Sequence, residues 1–225
     1  MKSKQKTDYN GIAEEYTSLQ NEFYGKNKNE SREALYSSID FSLKSKQVLD
    51  AGCGFGKDLS YFKNMGAEVY GIDSSQKMVE LAKVNNPNVE QIRISSFEKT
   101  EFENNFFDVI ISRYSFNHSL DLECVFREMH RILKQNGYLI FIAGHPIMQF
   151  IASKKNEYCS GEIAKVSLFG KINIKEPTHT FSEYLSRFVL GNFEILSFIE
   201  GPEKIREINL DEKIPDFVFF KLRKK

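Results

Sequence analysis

One stretch constrains this chain more than any other: Val48-Leu49-Asp50-Ala51-Gly52-Cys53-Gly54-Phe55-Gly56, an apolar run that empties into three alternate glycines. Gln47 to Ala51 reads as a strand, and the run from Lys57 to Phe62 as the first turns of a helix. Glycines in between permit positive φ and remove the Cβ atoms that would hold a ligand off the backbone. The helix start offers unpaired N–H groups to a carboxylate or phosphate. Strand, tight loop and helix in that order open a parallel sheet, provided the pattern repeats downstream.

It repeats. Leu59, Phe62 and Met65 mark the inner face of a helix closed by Gly66, and Glu68 to Ile72 is a second strand ending at Asp73. Ser74 or Ser75 caps a helix carrying Met78, Val79, Leu81 and Ala82, and Val89 to Ile94 is a third strand. Ser95 to Asn105 is polar, with little room for a long helix. Phe106 to Ser112 is a fourth strand, apolar enough to be central. Leu122, Val125, Phe126, Met129, Ile132 and Leu133 form an amphipathic helix stopped by Asn136-Gly137, before a fifth strand at Tyr138 to Ala143. Alternation of this kind implies an α/β fold whose parallel sheet is covered on both faces.

Tyr9, Ile12, Ala13, Tyr16 and Leu19 recur at helical spacing before the loop. Asn21 to Asn29 reads as a loop, and a second helix starts near Ser31 with Ala34, Leu35, Ile39 and Phe41 on one side. Beyond Gly144 the period is lost until the capping box Thr180-Phe181-Ser182-Glu183. Phe193 to Ile199 and Asp216 to Leu222 are late strands that fit a hairpin-like addition at a sheet edge. One domain over 1–225 is expected: a helical cover at 1–44, a core at 45–144, an insertion over the site at 145–178, and a helix with strands at 179–225.

Lys plus Arg and Asp plus Glu number 31 each, so the formal net charge is zero, which argues against a general nucleic-acid binder. Lys221 to Lys225 reads as a solvated tail. Cys53, Cys124 and Cys159 have no metal-ligand spacing and suit a reducing compartment; no metal is expected. No apolar run follows the basic start or reaches membrane-span length, so the expectation is a cytoplasmic protein.

Ligands of such sheets bind beyond the carboxyl ends of the strands, where the glycine loop, Asp73, Ser95 to Phe97 and Ser112 to His118 all fall. The third glycine comes one residue too early for the dinucleotide pattern. Asp73, 21 positions after Gly52, is placed to accept hydrogen bonds from both hydroxyls of a ribose. A nucleoside with its polar tail over the glycines is the implied ligand.

The ordered set Asp50 to Gly56, Asp73, Phe106 to Ile110 and Phe126 to Gly137 resembles the class I S-adenosylmethionine-dependent methyltransferases. The resemblance implies a doubly wound, mostly parallel seven-stranded sheet whose last strand is antiparallel, with S-adenosylmethionine as cofactor. It implies that Asp50, Gly52 and Gly54 hold the methionine part, with Cys53 and Gly56 in the same loop. Asp73 would take the ribose, Ser74 and Met78 would border the adenine, and Ser96 and Phe97 would lie at its edge. The family often has Asp at or beside Ser96, a contact left here to the Ser96 hydroxyl or to backbone. Tyr16 matches an aromatic that closes over the cofactor. Arg113 is counted beside the cofactor, where it meets an acidic acceptor or, the commoner fate, a neighbouring carboxylate.

Methyl transfer is an in-line displacement, and alignment alone can supply up to about 7–11 kcal/mol of the barrier. A base is needed only if the acceptor must lose a proton, and the candidates are His118 and His145 at the carboxyl edge. Each has a structural alternative: His118 as a helix cap, His145-Pro146 as the turn out of a strand. Tyr114, Tyr184, His118 and His145 are the candidate acceptor contacts; His130 is expected at the surface and His179 in a turn. Ser112-Arg113-Tyr114-Ser115 replaces the Asn/Asp-Pro-Pro-Tyr/Phe motif of base-amino methylation, and there is no Pro-Cys pair. With zero net charge this favours a small-molecule acceptor, methylated on O or N, for a monomer or homodimer. Phe150, Ile151, Tyr158, Val166, Leu168 and Phe169 make that acceptor partly apolar. The rival readings are a nucleoside-binding protein without turnover and a nicotinamide-dependent oxidoreductase, the latter opposed by the glycine spacing.

Overall fold

The structure, a computed structural model, describes residues 7–89, 91–154, 157–203 and 215–225. Helices α1 (Ala13–Lys26) and α2 (Glu30–Ser37) precede β1 (Gln47–Ala51), α3 (Leu59–Asn64), β2 (Glu68–Asp73), α4 (Gln76–Asn85) and β3 (Gln91–Ile94). Then come β4 (Phe107–Arg113), a 3-10 turn (Phe116–His118), α5 (Leu122–Ile132) and β5 (Leu133–Gly144). The last third holds α6 (Pro146–Ser153), β6 (Ile163–Leu168), β7 (Ile172–Pro177), α7 (Phe181–Tyr184), α8 (Arg187–Asn192), β8 (Phe193–Gly201) and β9 (Phe217–Lys224).

Seven strands form one sheet in the order β3-β2-β1-β4-β5-β9-β8. Strands β1 to β5 are parallel, and β9 is antiparallel to both β5 and β8. The chain runs from β1 outward to β3, then crosses back to lay β4 against the other side of β1. Strand order therefore reverses between β1 and β4, where the carboxyl ends of neighbouring strands diverge into a crevice. Two apolar layers sandwich the sheet. One is built by Leu122, Val125, Phe126 and Met129 of α5 against Leu139, Phe141 and Phe220. The other sets Leu35, Leu59, Phe62, Val79 and Ala82 against Val48, Val109 and Ile140.

Several local expectations are corrected. Helix α1 starts only at Ala13 and continues to Lys26, through residues read as a loop. Phe23 packs on Phe169 and Tyr24 bonds Glu203, so tertiary contacts carry a polar stretch into the helix. Helix α2 ends at Ser37, leaving Ile39 and Phe41 to pack from the segment beyond it. The region 145–178 is ordered into α6 and an antiparallel β6–β7 hairpin, whose inward row is Ala164, Val166, Leu168, Ile172 and Ile174. The basic terminus is no solvated tail. Lys221 donates to Ser38 O and Asp40, both at 2.7 Å, and Lys224 donates to the carbonyls of His130 and Leu133 at 2.7 and 2.8 Å. The central place of β9 buries both stems while each ammonium reaches backbone carbonyls. His130 is half-buried, its ring edge-on to Phe188 and Phe193. No helix among the described residues is long and apolar enough to cross a membrane.

Candidate functional site

The loop after β1 is pinned from below. The N–H groups of Gly52 and Cys53 both donate to Ile72 O, at 2.8 and 2.9 Å. Gly52 has φ +82°, and a Cβ there would fall 2.3 Å from Ser115. Ser115 comes from the loop after β4 and returns a hydrogen bond from Oγ to Gly52 O at 3.0 Å. Gly54 has φ +52°, and a Cβ there would meet no protein atom within 4 Å. Its N–H donates to Asp73 Oδ2 at 2.9 Å, while Ser75 N–H donates to Oδ1 at 2.9 Å. The end of β2 is thus welded to the end of β1 through one carboxylate.

Above this floor lies a cavity of about 360 Å³. Its core side is lined by Asp50, Gly52, Cys53, Gly54, Asp73, Ser74, Met78, Phe97, Arg113 and Tyr114. Its roof comes from the N-terminal segment: Asp8, Tyr9, Asn10, Tyr16 and Gln20. Asn10 Oδ1 accepts from Ser75 Oγ at 3.0 Å and from Lys77 N at 3.2 Å, tying that roof to the start of α4.

Residues 49–141 match the methyltransferase-domain family. That stretch is similar to methyltransferase domains, and the fold is the one that S-adenosylmethionine-dependent methyltransferases share. Among curated proteins, the ubiquinone biosynthesis O-methyltransferase of Pelagibacter ubique is 35% identical over 109 residues, covering 47% of this chain and 45% of that one. The uncharacterized methyltransferase YcgJ of Bacillus subtilis is 33% identical over 100 residues, covering 43% and 40%. The chain thus spans less than half the length of these relatives. A putative S-adenosylmethionine-dependent methyltransferase from Listeria monocytogenes has the same fold, with TM-score 0.69, 21% identity and coverage of 84% of this chain and 94% of that one.

Three carboxylates that line the cavity have different fates, Asp50 and Asp58 being buried and Asp73 half-buried. Asp58 accepts from Arg32 Nε at 2.6 Å, Tyr36 OH at 2.7 Å and Arg113 Nε at 3.2 Å. Burial pushes its pKa up, but the two guanidinium charges and the tyrosine hydroxyl outweigh that and hold it at about 2. Asp73 is shifted upward by burial, against its backbone N–H donors. Asp50 is 4% exposed, and no hydrogen bond reaches its carboxylate from the described residues. Burial first, then the charge of Asp58, pushes its pKa well up, with Arg113 opposing.

These groups fit S-adenosylmethionine. Each Asp73 oxygen accepts one backbone N–H and keeps acceptor capacity for a hydroxyl. The desolvated Asp50 suits a ligand ammonium, and the space beside Gly54 admits a chain lying on backbone.

Other sequence candidates lie elsewhere. Gly56 faces α4: a Cβ there would sit 2.3 Å from Asn86 Nδ2 and 3.1 Å from the Ala82 Cβ, so this glycine serves helix packing. Ser96 turns its hydroxyl to Glu98 at 2.6 Å and is not among the residues that line the cavity. His145 is buried away from the cavity: Nδ1 accepts from Ile147 N at 3.2 Å, capping α6, and Nε2 lies 2.7 Å from Glu200. Tyr184 is fully buried between Phe141 and Phe220, in the core rather than the acceptor space. Arg113 does line the cavity, but its charge is engaged by Asp58. His118 also lines it, with Nε2 3.2 Å from the Tyr9 hydroxyl. Sequence reasoning missed Asp58, Asn10 and Gln20. Asp58 adjoins the glycine loop, yet its role depends on Arg32 and Arg113, which no local spacing connects to it.

Proposed function

We propose that this domain moves a methyl group from S-adenosylmethionine to an oxygen or nitrogen of a small, partly apolar molecule. The observation that carries this reading is the roof. The N-terminal segment and the β6–β7 hairpin cover the crevice with Tyr9, Tyr16, Leu168 and Phe169, and the hairpin's apolar row packs on Ile12, Tyr16 and Leu19. An acceptor held beneath such a cover is a compact molecule rather than a polymer strand crossing a basic face.

When bound, the cofactor supplies a methyl group already activated on a sulfonium. The protein's share is positioning and proton management. Asp50 and the Gly52–Gly54 backbone hold the amino-acid end, Asp73 takes the ribose hydroxyls, and Met78 and Phe97 flank the base. His118, bonded to Tyr9, is the base for an acceptor that must shed a proton. A methyl acceptor of this kind also accords with the O-methyltransferase among the relatives.

Titration calorimetry with S-adenosylmethionine, S-adenosylhomocysteine and NAD tests the donor, and release of S-adenosylhomocysteine across an acceptor panel tests turnover. Binding of the two adenosyl ligands without NAD, with release driven by a small molecule, is expected. Preference for NAD, or firm adenosyl binding with no release from any acceptor class, overturns the proposal.

A further inference from the structure

Arg113 closes β4 in the wall of the cavity, with its side chain 9% exposed. Asp58 engages it through Nε alone, at 3.2 Å; Nη1 and Nη2 make no hydrogen bond to any described residue. The next residue, Tyr114, holds φ +54°, a left-handed conformation that a tyrosine keeps only where its surroundings impose it. The guanidinium carbon lies 5.9 Å from the centroid of the Tyr114 ring.

Charge around this side chain is unbalanced. Asp58 answers two guanidinium groups, Arg32 at 2.6 Å and Arg113 at 3.2 Å. Arg32 Nη2 is also buried without a partner among the described residues. Two further carboxyls lie within the field of Arg113. Asp50 is assigned above to the ligand ammonium, and Glu203 accepts from Tyr24 OH at 2.6 Å and from Ser31 N, with burial pushing its pKa up. One positive charge is thus left over in a desolvated wall, where an anion of matching shape repays the cost of its burial. The free edge of a guanidinium carries two parallel N–H donors, which fit the two oxygens of a carboxylate.

Position assigns that edge to the acceptor. Arg113 stands at the end of β4, on the side of β1 away from β2 and Asp73. Tyr16, Tyr24 and Tyr114, whose hydroxyls lie in its field, also line a small recess beside the cofactor cavity. Their rings offer an apolar wall to the body of a molecule whose charged end is held on the arginine.

We propose that the Nη1–Nη2 edge of Arg113 anchors the carboxylate of an acidic acceptor, an aryl- or alkyl-carboxylic acid. The proposal rests on the methyltransferase reading and adds a negative charge to its small, partly apolar acceptor.

The test is calorimetry on the full chain, with and without saturating S-adenosylhomocysteine. The probes are matched pairs, 3-phenylpropanoate against 3-phenylpropan-1-ol and hexanoate against hexan-1-ol. Each acid is expected to bind at least about tenfold more tightly than its alcohol, a difference of about 1.4 kcal/mol. Arg113→Gln is expected to erase that preference, and Arg113→Lys, which keeps a charge beside Asp58 but loses the paired donors, to reduce it. Equal binding of acids and alcohols, no binding of either acid, or full acid preference in either folded variant overturns the site. A second titration compares S-adenosylhomocysteine with its decarboxylated analogue. The ratio of those two affinities is expected to be the same in wild type and Arg113→Gln. A ratio that falls at least about tenfold in the variant gives Arg113 to the cofactor's own carboxylate and overturns the proposal. A chain that prefers acids but does not bind S-adenosylhomocysteine keeps the carboxylate site and loses the methyltransferase reading; a chain that binds it without acid preference loses the carboxylate site alone.

Discussion

Replacing Asp50 by Asn should move stability and ligand affinity in opposite directions. Asp50 is buried, has no hydrogen-bond donor among the described residues, and lies in the field of Asp58 and Asp73. Its pKa is raised in the folded chain, so ionisation costs folding free energy. The cost is absent below the unfolded pKa, grows as pH rises, and is complete above the folded pKa. Asn keeps the shape and removes the charge. An uncompensated buried charge exceeds an uncompensated amide by about 1–2 kcal/mol, so the ligand-free variant should gain about that much. For a chain of this length each kcal/mol moves Tm by about 2–4 °C, giving a rise of about 2–8 °C at mildly alkaline pH that fades under acid. The same change removes a charge-assisted hydrogen bond to the ligand ammonium, about 1.5–3 kcal/mol, so S-adenosylmethionine should bind about 10–150-fold more weakly. Differential scanning calorimetry across pH gives the first quantity, and titration calorimetry the second. A lower Tm in ligand-free Asp50→Asn, or unchanged affinity, would refute the picture of a desolvated carboxylate kept for a cation.

Asp73→Ala should cost about 1–3 kcal/mol of affinity for S-adenosylmethionine and for adenosine alike, and none for methionine, in parallel titrations. Asp58 has a folded pKa of about 2 against an ordinary 3.8. Its ionisation therefore contributes about 2 kcal/mol of stability that is fully present above pH 3.8 and lost as pH falls through about 2. Urea unfolding of wild type should show that loss and Asp58→Asn should not, the variant being about 3–5 kcal/mol less stable at neutral pH because Arg32 and Arg113 stay buried without their partner. Gly52→Ala should lose about 2–4 kcal/mol in chemical unfolding, from left-handed strain and the Ser115 contact, and Ser115→Gly should recover part of it.

The donor half of this site was legible because its signals are local. A strand end, glycines and an acidic residue at the next strand end follow one another in the chain, and the parallel topology brings them to one edge. The same logic fails where a residue's role is set from far away. Gly56 has the spacing of a ligand loop, but Ala82 of α4 and Asn86 just past its end occupy its free side. His145 follows the right strand at the right end, yet Pro146 starts a helix there and the imidazole caps it. Tyr184 sits in the capped helix that was foreseen, with its ring turned into the core between β5 and β9. The hairpin carried an alternating row, Ala164, Val166 and Leu168 against Ile172 and Ile174, with Lys165, Ser167, Asn173 and Lys175 at the positions between, a period-two pattern over strands too short to stand out from the irregular sequence around them. Lys221 and Lys224 read as solvated from composition, and only the insertion of β9 between β5 and β8 buries their stems.

The charges of the cavity then explain one another. Arg113 lines it but is engaged by Asp58 at 3.2 Å, and Lys57 bonds Asn21 at its rim. Asp50 and Asp73 are left facing the donor site, with no basic residue bonded to either among the described residues. Such a field favours a donor that arrives carrying positive charge, and preorganised groups stabilise a transition state best when they need not reorganise as that charge shifts.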